Sequence, residues 1–84
     1  MASKRFEKDS MEFKWFGQFW TLVQNYWNVE DNDEYWEDVI EKMNLLGDAY
    51  EEDDKKLHRF SVKMGSAFLS FLEEEWKLRK SDGR

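Results

Sequence analysis

The sequence contains no cysteine and a single histidine, His58, and its four glycines stand singly along the chain. Without cysteine there can be neither disulfides nor thiolate metal ligands. One histidine cannot supply the two Glu-x-x-His pairs of a di-iron bundle, and no nucleophile elbow or oxyanion loop accompanies it. Isolated glycines form neither a P-loop nor a dinucleotide-binding motif. We therefore expect no catalytic residue, no cofactor and no metal ligand.

Basic residues are outnumbered, with 13 Lys and Arg against 19 Asp and Glu and a formal net charge of −6. A chain without a basic stripe is unsuited to nucleic-acid phosphates or to an anionic membrane surface, and a basic protein surface is the favoured partner. Lys4 and Arg5 precede an uncharged run from Trp15 to Tyr26, but that run is too short to span a bilayer and no cleavage site follows. We expect a cytoplasmic protein.

Aromatic residues are abundant instead, at 18% of the chain and including five tryptophans. With 84 residues, positions 1–84 form one domain. Each ring can bury about 150 to 250 Å², yet so small a domain has little interior volume. Some of the rings must lie partly exposed or meet another chain, which is the first indication of an interface.

The first predicted helix, residues 10–28, is apolar on most of its circumference. One stripe at helical spacing comprises Phe13, Phe16, Trp20, Val23 and Trp27, and a second comprises Trp15, Phe19, Leu22 and Tyr26. Such a helix needs partners on at least two sides, so we expect it to form the centre of a bundle. We also expect Gly17 to admit a neighbouring ring. Asp9 with Glu12, or Ser10 alone, can cap the start.

Two further helices are predicted at residues 31–51 and 54–80, with a flexible arm at 1–8 and a tail at 81–84. Asp31 and Glu34 form a capping box for the second helix, which Gly47 could end early, and Asp53 or Asp54 caps the third. A flat patch at residues 65–67 could receive rings of the first helix. The fold class is all-α, an up-down-up three-helix bundle with a long third helix.

Two polar motifs bear on metal binding and acid–base chemistry. Asp31-Asn32-Asp33 resembles the opening of a calcium loop, but Trp36 stands where glycine is obligatory and Lys42 where the bidentate glutamate belongs. His58, four residues after Asp54, is typical of a helix-surface pair rather than of a base. A carboxylate pair acting on a sugar or phosphate stays formally open, although acids on helix surfaces are usually just solvated.

The predicted topology gathers aromatic and acidic residues at one end, where the first helix ends, the second begins and the third ends. Its rings are Tyr26, Trp27, Tyr35, Trp36, Phe71 and Trp76, with Trp76 exposed on the overhang of the third helix. Its acids are Glu30, Asp31, Asp33, Glu34, Glu37, Asp38, Glu73, Glu74 and Glu75. We call this set the acidic-aromatic pole. Such sets are typical of binding hot spots, although the rings could merely cap a small core and the acids solvate the surface.

The motif Tyr35-Trp36-Glu37-Asp38-Val39-Ile40 follows an aromatic helix ending in Tyr26-Trp27 and precedes Phe68-Leu69-Ser70-Phe71-Leu72-Glu73. In this combination the chain, from about Phe13 to Lys77, resembles small uncharacterised proteins of phages and prophages of Firmicutes. The resemblance implies a host-takeover or anti-defence setting, in which small acidic proteins often bind and block a host factor. It implies no catalytic residues.

The leading functional hypothesis is a non-enzymatic protein-binding module that docks the acidic-aromatic pole on a basic protein, as a phage-encoded inhibitor of a nucleic-acid-handling or defence protein would. Cation–π contacts from arginine to Trp36 or Trp76 would suit such docking. The alternative is a structural homodimer formed through surplus rings of the first or third helix. Membrane attachment is disfavoured because the first helix has only Lys14 for lipid headgroups.

Overall fold

The computed structural model describes residues 2–82, which form three α-helices: α1 (Met11–Tyr26), α2 (Asp33–Asp48) and α3 (Lys55–Asp82). These residues contain no β-strand. The predicted tail begins inside α3, because the helix continues through residues 81 and 82, and positions 83 and 84 lie outside the described residues, as does Met1 of the predicted arm. Over the described range, no helix combines the length and the apolar character that a membrane crossing requires.

Each helix begins at a side chain that accepts a hydrogen bond from a backbone N–H of the first turn. Ser10 accepts from the N–H of residue 13 (3.2 Å), Asn32 from that of residue 35 (2.8 Å) and Asp54 from that of residue 57 (3.1 Å). The predicted capping box of Asp31 and Glu34 is therefore wrong. The extended backbone of Asn32, with φ of −153°, points its side chain back over the first turn, so the cap lies one residue later.

The end of α2 also differs from the preferred prediction. The helix stops at Asp48, directly after Gly47 and three residues before the predicted end. Tyr50 is buried from the following turn, and its hydroxyl donates a 2.7 Å hydrogen bond to Oε1 of Gln18 in α1. The apolar spacing continued through Tyr50 because the residue belongs to the core, although it no longer belongs to the helix.

The stripe of α1 that packs inward contains Trp15 and Leu22, which are 0% and 8% exposed. Trp15 stacks on Phe19 (4.9 Å between centroids) and donates its indole N–H to Oγ of Ser61 in α3 at 2.8 Å. The other stripe faces outward, and its Trp20 is 68% exposed. The prediction that the first helix forms the centre of the fold is therefore wrong, because the neighbouring helices cover one of its two apolar stripes and leave most of the other exposed.

α2 is the helix that packs closely against both others, whereas the backbones of α1 and α3 approach each other less closely. Val39 and Met43 of α2 are buried. The Met43 side chain lies over Gly65, where an added Cβ would come within 2.7 Å of its Cε. Within the small-residue patch of α3, Gly65 is thus covered by α2 and not by rings of the first helix as predicted, while Ser66 and Ala67 are exposed. Gly17 admits no ring either, since nothing lies within 4 Å of its Cβ position.

The order in which residues of two helices contact each other shows whether the helices run in the same or in opposite directions. Between α1 and α2, Gln18 meets Tyr50 and Tyr26 meets Tyr35, so residue numbers run in opposite directions. Between α1 and α3 they rise together, through the ring pairs Trp15–Phe60 (5.2 Å), Phe19–Phe68 (6.0 Å) and Trp27–Phe71 (5.6 Å). The end of α1, the start of α2 and the end of α3 consequently lie near one another.

Candidate functional site

Four of the six rings assigned to the acidic-aromatic pole form a continuous chain of contacts. Tyr26 and Tyr35 lie 5.8 Å apart, Tyr35 and Trp36 5.0 Å, and Trp36 and Trp76 6.4 Å, all in edge-to-face geometry. Such geometry is favourable because the positive edge of one ring meets the negative face of the next. The end of α1, the start of α2 and the end of α3 are therefore joined by aromatic contacts at this pole.

Hydrogen bonds hold these rings in place. The Tyr35 hydroxyl donates to the carbonyl oxygen of Tyr26 at 2.6 Å, and the Tyr26 hydroxyl donates to Asp38. The indole N–H of Trp76 donates to Oδ1 of Asp31 at 3.2 Å. Trp76 is therefore half-buried beside the start of α2, and the prediction that it stands on an exposed overhang is wrong. The Lys80 ammonium lies over its ring, 4.6 Å from the centroid.

The remaining two rings, Trp27 and Phe71, lie apart from this chain. They contact each other at 5.6 Å on the seam between α1 and α3, where Glu75 also lies. Neighbouring positions of a helix point about 100° apart, so Tyr26 and Trp27 face different sides of α1. The single predicted cluster thus consists of two ring clusters on either side of α1.

Most of the predicted acids are exposed, and three of the set, Glu30, Glu34 and Asp38, line a cleft. The exposed acids of the pole are Glu30, Asp31, Asp33, Glu34, Glu37, Glu73, Glu74 and Glu75, while Asp38 is half-buried. The cleft opens between α1 and α2, has a volume of about 460 Å³, and is lined by Asn25, Tyr26, Glu30, Asn32, Glu34, Tyr35 and Asp38. Its described lining residues include three carboxylates and no cation.

Asn25 and Asn32 are the cleft residues that sequence reasoning missed. Asn32 stands beside the predicted cap, and its role at the start of α2 turns it toward the cleft. Asn25 lies in the last turn of α1 and is neither charged nor apolar, so no sequence pattern singles it out. Its position next to Tyr26 in the sequence was the only signal that it could belong to the site. Using that signal requires knowing which side of α1 faces α2, and this depends on the tertiary structure.

The hydrogen bond between Tyr26 and Asp38 alters the protonation of both groups. Accepting this bond, the Asp38 carboxylate raises the pKa of Tyr26 to about 12, and partial burial of the phenol adds to the effect. The same bond, together with the Lys42 ammonium at 3.3 Å, lowers the pKa of Asp38. Desolvation raises the pKa of Tyr35. At neutral pH the Asp38 carboxyl is therefore ionised and the two phenols are neutral.

The single histidine, His58, and Asp54 before it both have structural partners. Nδ1 of His58 lies 2.9 Å from the carbonyl oxygen of Gly47, between α3 and α2. The predicted surface pair with Asp54 does not form, because the Asp54 carboxylate caps α3 instead. Among residues 2–82 no group of histidine and acidic side chains is arranged to hold a metal ion.

Comparison of the chain with models of protein families, with curated proteins and with solved structures found no match.

Proposed function

We propose that this chain is a non-enzymatic protein-binding module that docks the acidic-aromatic pole on a basic protein surface. The observation that carries the proposal is the cleft between α1 and α2, in which Glu30, Glu34 and Asp38 converge beside two tyrosines. Lys42 pairs with Asp38, and no ion pair of the described residues engages Glu30 or Glu34, so a positively charged side chain from a partner would complete the site.

Arginine has the chemistry that this cleft accommodates. Its planar guanidinium donates paired hydrogen bonds to carboxylates and stacks on aromatic rings. The cleft contains both carboxylates and tyrosine rings. The amides of Asn25 and Asn32 add neutral hydrogen-bonding groups to the same wall. A lysine would satisfy the charge but not the paired geometry, so we expect arginine to bind more tightly than lysine.

Long-range electrostatics favour the same class of partner. No lysine or arginine occurs between Trp15 and Glu41, so the acids at the start of α2 have no basic neighbour in sequence. In the described chain the ion pairs join Lys4 to Glu12, Arg5 to Glu7 and Lys42 to Asp38, which leaves Glu30 and Glu34 without one. An acidic surface accelerates association with basic partners, and the effect falls with ionic strength.

The proposal includes an up-down-up bundle as the architecture that positions the cleft. The opposite order of contacts between α1 and α2, and the parallel order between α1 and α3, support it. In that arrangement the loop between α1 and α2 and the end of α3 share one pole, so the acids of the loop and Trp76 belong to the same surface.

The resemblance to phage and prophage proteins supplies the biological setting of the proposal. We propose that the chain is phage-encoded and that it blocks a basic host protein, one that handles nucleic acid or takes part in defence, in the host cytoplasm. Binding alone suffices for such an inhibitor, so this role requires no catalytic group.

Titration calorimetry with an arginine-rich peptide tests the cleft. We expect the double variant Glu30→Gln with Glu34→Gln to weaken binding about tenfold, or about 1.4 kcal/mol. The matched control is Glu51→Gln with Glu52→Gln, which makes the same change of net charge in the turn after α2. A citrulline counterpart of the peptide, with the same shape and no charge, should not bind.

Equal weakening by the two double variants would refute the proposal. That result would mean that the peptide senses the net charge of the molecule, and that the acids of the pole solvate the surface without forming a site.

A further inference from the structure

One side of the molecule exposes more aromatic surface than the folding of a single copy explains. α1 and α3 meet there in an open seam, along which Phe13, Phe16, Trp20, Trp27, Phe60 and Phe71 are 38% to 68% exposed. We call this surface the aromatic face. Monomeric proteins rarely expose a contiguous apolar patch of more than a few hundred Å², and larger patches usually mark an interface. This face lies on the opposite side of α1 from the acidic cleft.

The composition of α1 indicates that its exposed side is covered by another protein surface. No residue from Trp15 to Val29 is charged, although charged residues make up 38% of the chain. The Trp20 indole, the most exposed of these rings, takes part in no ring pair among the described residues. One turn earlier, Gly17 leaves open space at a position where glycine weakens the helix. A protruding indole beside a depression is suited to packing against another helix.

The area of the aromatic face matches that of a stable dimer. The six rings are about half exposed, and each ring has on the order of 150 to 250 Å² to bury. Phe6, stacked on Phe16, and Leu78, beside Trp27, extend the face at its two ends. Together these side chains offer on the order of 800 Å², which is about the area that each partner buries in a standard interface.

The charges on α3 identify the orientation of the partner. From Lys55 to Leu72 every charged side chain of α3 is basic, and Glu73, Glu74 and Glu75 follow directly. A second copy in parallel orientation would oppose like charges along the whole helix. In antiparallel orientation Glu73, Glu74 and Glu75 of each α3 face the middle of the other α3, where Lys63 lies, which favours association. Lys77, Arg79 and Lys80 then face the basic start of the other α3, so the favourable charge pairing is confined to the middle of the helix.

We propose that a second copy of this chain covers the aromatic face, in antiparallel orientation about a two-fold axis near Trp20. Phe13, Trp20 and Trp27 are spaced by seven residues, about 10.5 Å at 1.5 Å per residue. Rotation about the central Trp20 exchanges the positions of Phe13 and Trp27, so the face is complementary to itself, as an isologous interface requires. Trp20 of each copy packs beside Trp20 and Gly17 of the other.

The two ends of the aromatic face contain grooves that fit this arrangement. One, of about 410 Å³, lies beside Phe16 and Phe60, and the other, of about 640 Å³, lies beside Trp27 and Phe71. The two-fold rotation carries the exposed ring of Phe13 from one copy toward the larger groove of the other. At each end of the face the ring of Phe13 therefore has open space to enter.

Sedimentation equilibrium of the full chain tests the proposal. We expect the wild type to form dimers at micromolar concentration and Trp20→Glu, which places two carboxylates near the axis, to weaken dimerisation about a hundredfold or more. The matched control is Val62→Glu, because Val62 is 52% exposed but lies on the α2 side of α3, outside the aromatic face. We expect the control to change dimerisation less than about twofold, and circular dichroism to show both variants folded.

A charge exchange tests the antiparallel orientation. Lys63→Glu and Glu74→Lys should each weaken the dimer several-fold, and the double variant should restore most of the affinity because the exchanged charges again oppose each other. A monomer at high micromolar concentration overturns the proposal and leaves the aromatic face to a different protein. A dimer that the double variant fails to restore overturns the antiparallel arrangement.

The dimer is independent of the acidic cleft. Trp20→Glu should bind the arginine-rich peptide as the wild type does, and Glu30→Gln with Glu34→Gln should still dimerise. The failure of one proposal is therefore distinguishable from the failure of the other.

Discussion

At the scale of single residues, the contact between Trp15 and Ser61 explains how a small core accommodates an indole N–H. Trp15 is completely buried and Ser61 is 1% exposed, so neither polar group can bond to water. A buried donor without a partner costs about 1 to 3 kcal/mol, whereas the 2.8 Å bond between them satisfies both. This bond also ties α1 to α3, whose backbones are otherwise the more distant pair.

We predict that Ser61→Ala lowers the free energy of unfolding by about 1 to 3 kcal/mol, because the indole N–H of Trp15 is left buried without an acceptor. Urea denaturation monitored by tryptophan fluorescence measures the change. Ser66→Ala is the matched control, since Ser66 is exposed on the same helix and should shift stability by less than about 0.5 kcal/mol. Equal effects of the two substitutions would show that the buried bond contributes nothing.

At the scale of elements, α2 connects the fold to the candidate site. Its buried face packs against both other helices, and its first turns present the acids and the cap that line the cleft. Asp33 and Glu34 in the first turn also suit the positive end of the helix dipole. The charges that stabilise the start of α2 therefore also give the pole its negative potential.

We predict that Asn32→Ala destabilises the chain by about 1 kcal/mol, because the N–H of Tyr35 loses the side chain that caps α2. Thermal unfolding by circular dichroism is a suitable measurement. Asn32→Asp retains a capping oxygen and should remain near wild-type stability. Should Asn32→Asp be as destabilising as Asn32→Ala, capping would not be what Asn32 contributes.

At the scale of the whole molecule, the described chain is elongated, with extents of 50 × 27 × 19 Å, and its two candidate surfaces lie on different sides of α1. The acidic cleft opens between α1 and α2, whereas the aromatic face follows the seam of α1 and α3. An antiparallel dimer would cover the second and place the two clefts toward opposite ends, where each remains accessible.

The Tyr26–Asp38 bond between α1 and α2 links the stability of the molecule to pH in two windows. The pKa of Tyr26 is raised to about 12 in the folded chain, so its contribution is complete below the unfolded value near 10 and is lost as pH rises through about 12. The pKa of Asp38 is lowered, so its contribution is complete above the ordinary value of 3.8 and is lost as pH falls through its folded-state pKa.

We predict that Tyr26→Phe removes the dependence at high pH and reduces the one at low pH, because phenylalanine cannot donate to Asp38 whereas Lys42 still pairs with it. Urea midpoints of the wild type and the variant, compared across the pH range, should differ most between about pH 5 and 9 and should converge at both extremes. A constant difference at every pH would indicate that Tyr26 contributes packing alone.

The sequence by itself determined the number, the type and the approximate extent of the helices. Three-and-four spacing, polar residues at helix starts and the charged turn at residues 51–56 are local properties, and each acts on the backbone within a few residues. Because short turns bring consecutive helix ends together, the sequence also predicted that Tyr26, Tyr35, Trp36 and Trp76 would lie near one another, and these rings are in contact.

Only the tertiary structure decided which apolar stripe of α1 is buried. The stripes of Trp15 and Trp20 have the same periodicity, and the choice between them depends on where α2 and α3 pack. The same contacts separated Trp27 from the other rings of the pole and brought Asn25 and Asn32 into the cleft. Periodicity determines which side chains share a face of a helix, whereas burial of that face depends on residues far away in the chain.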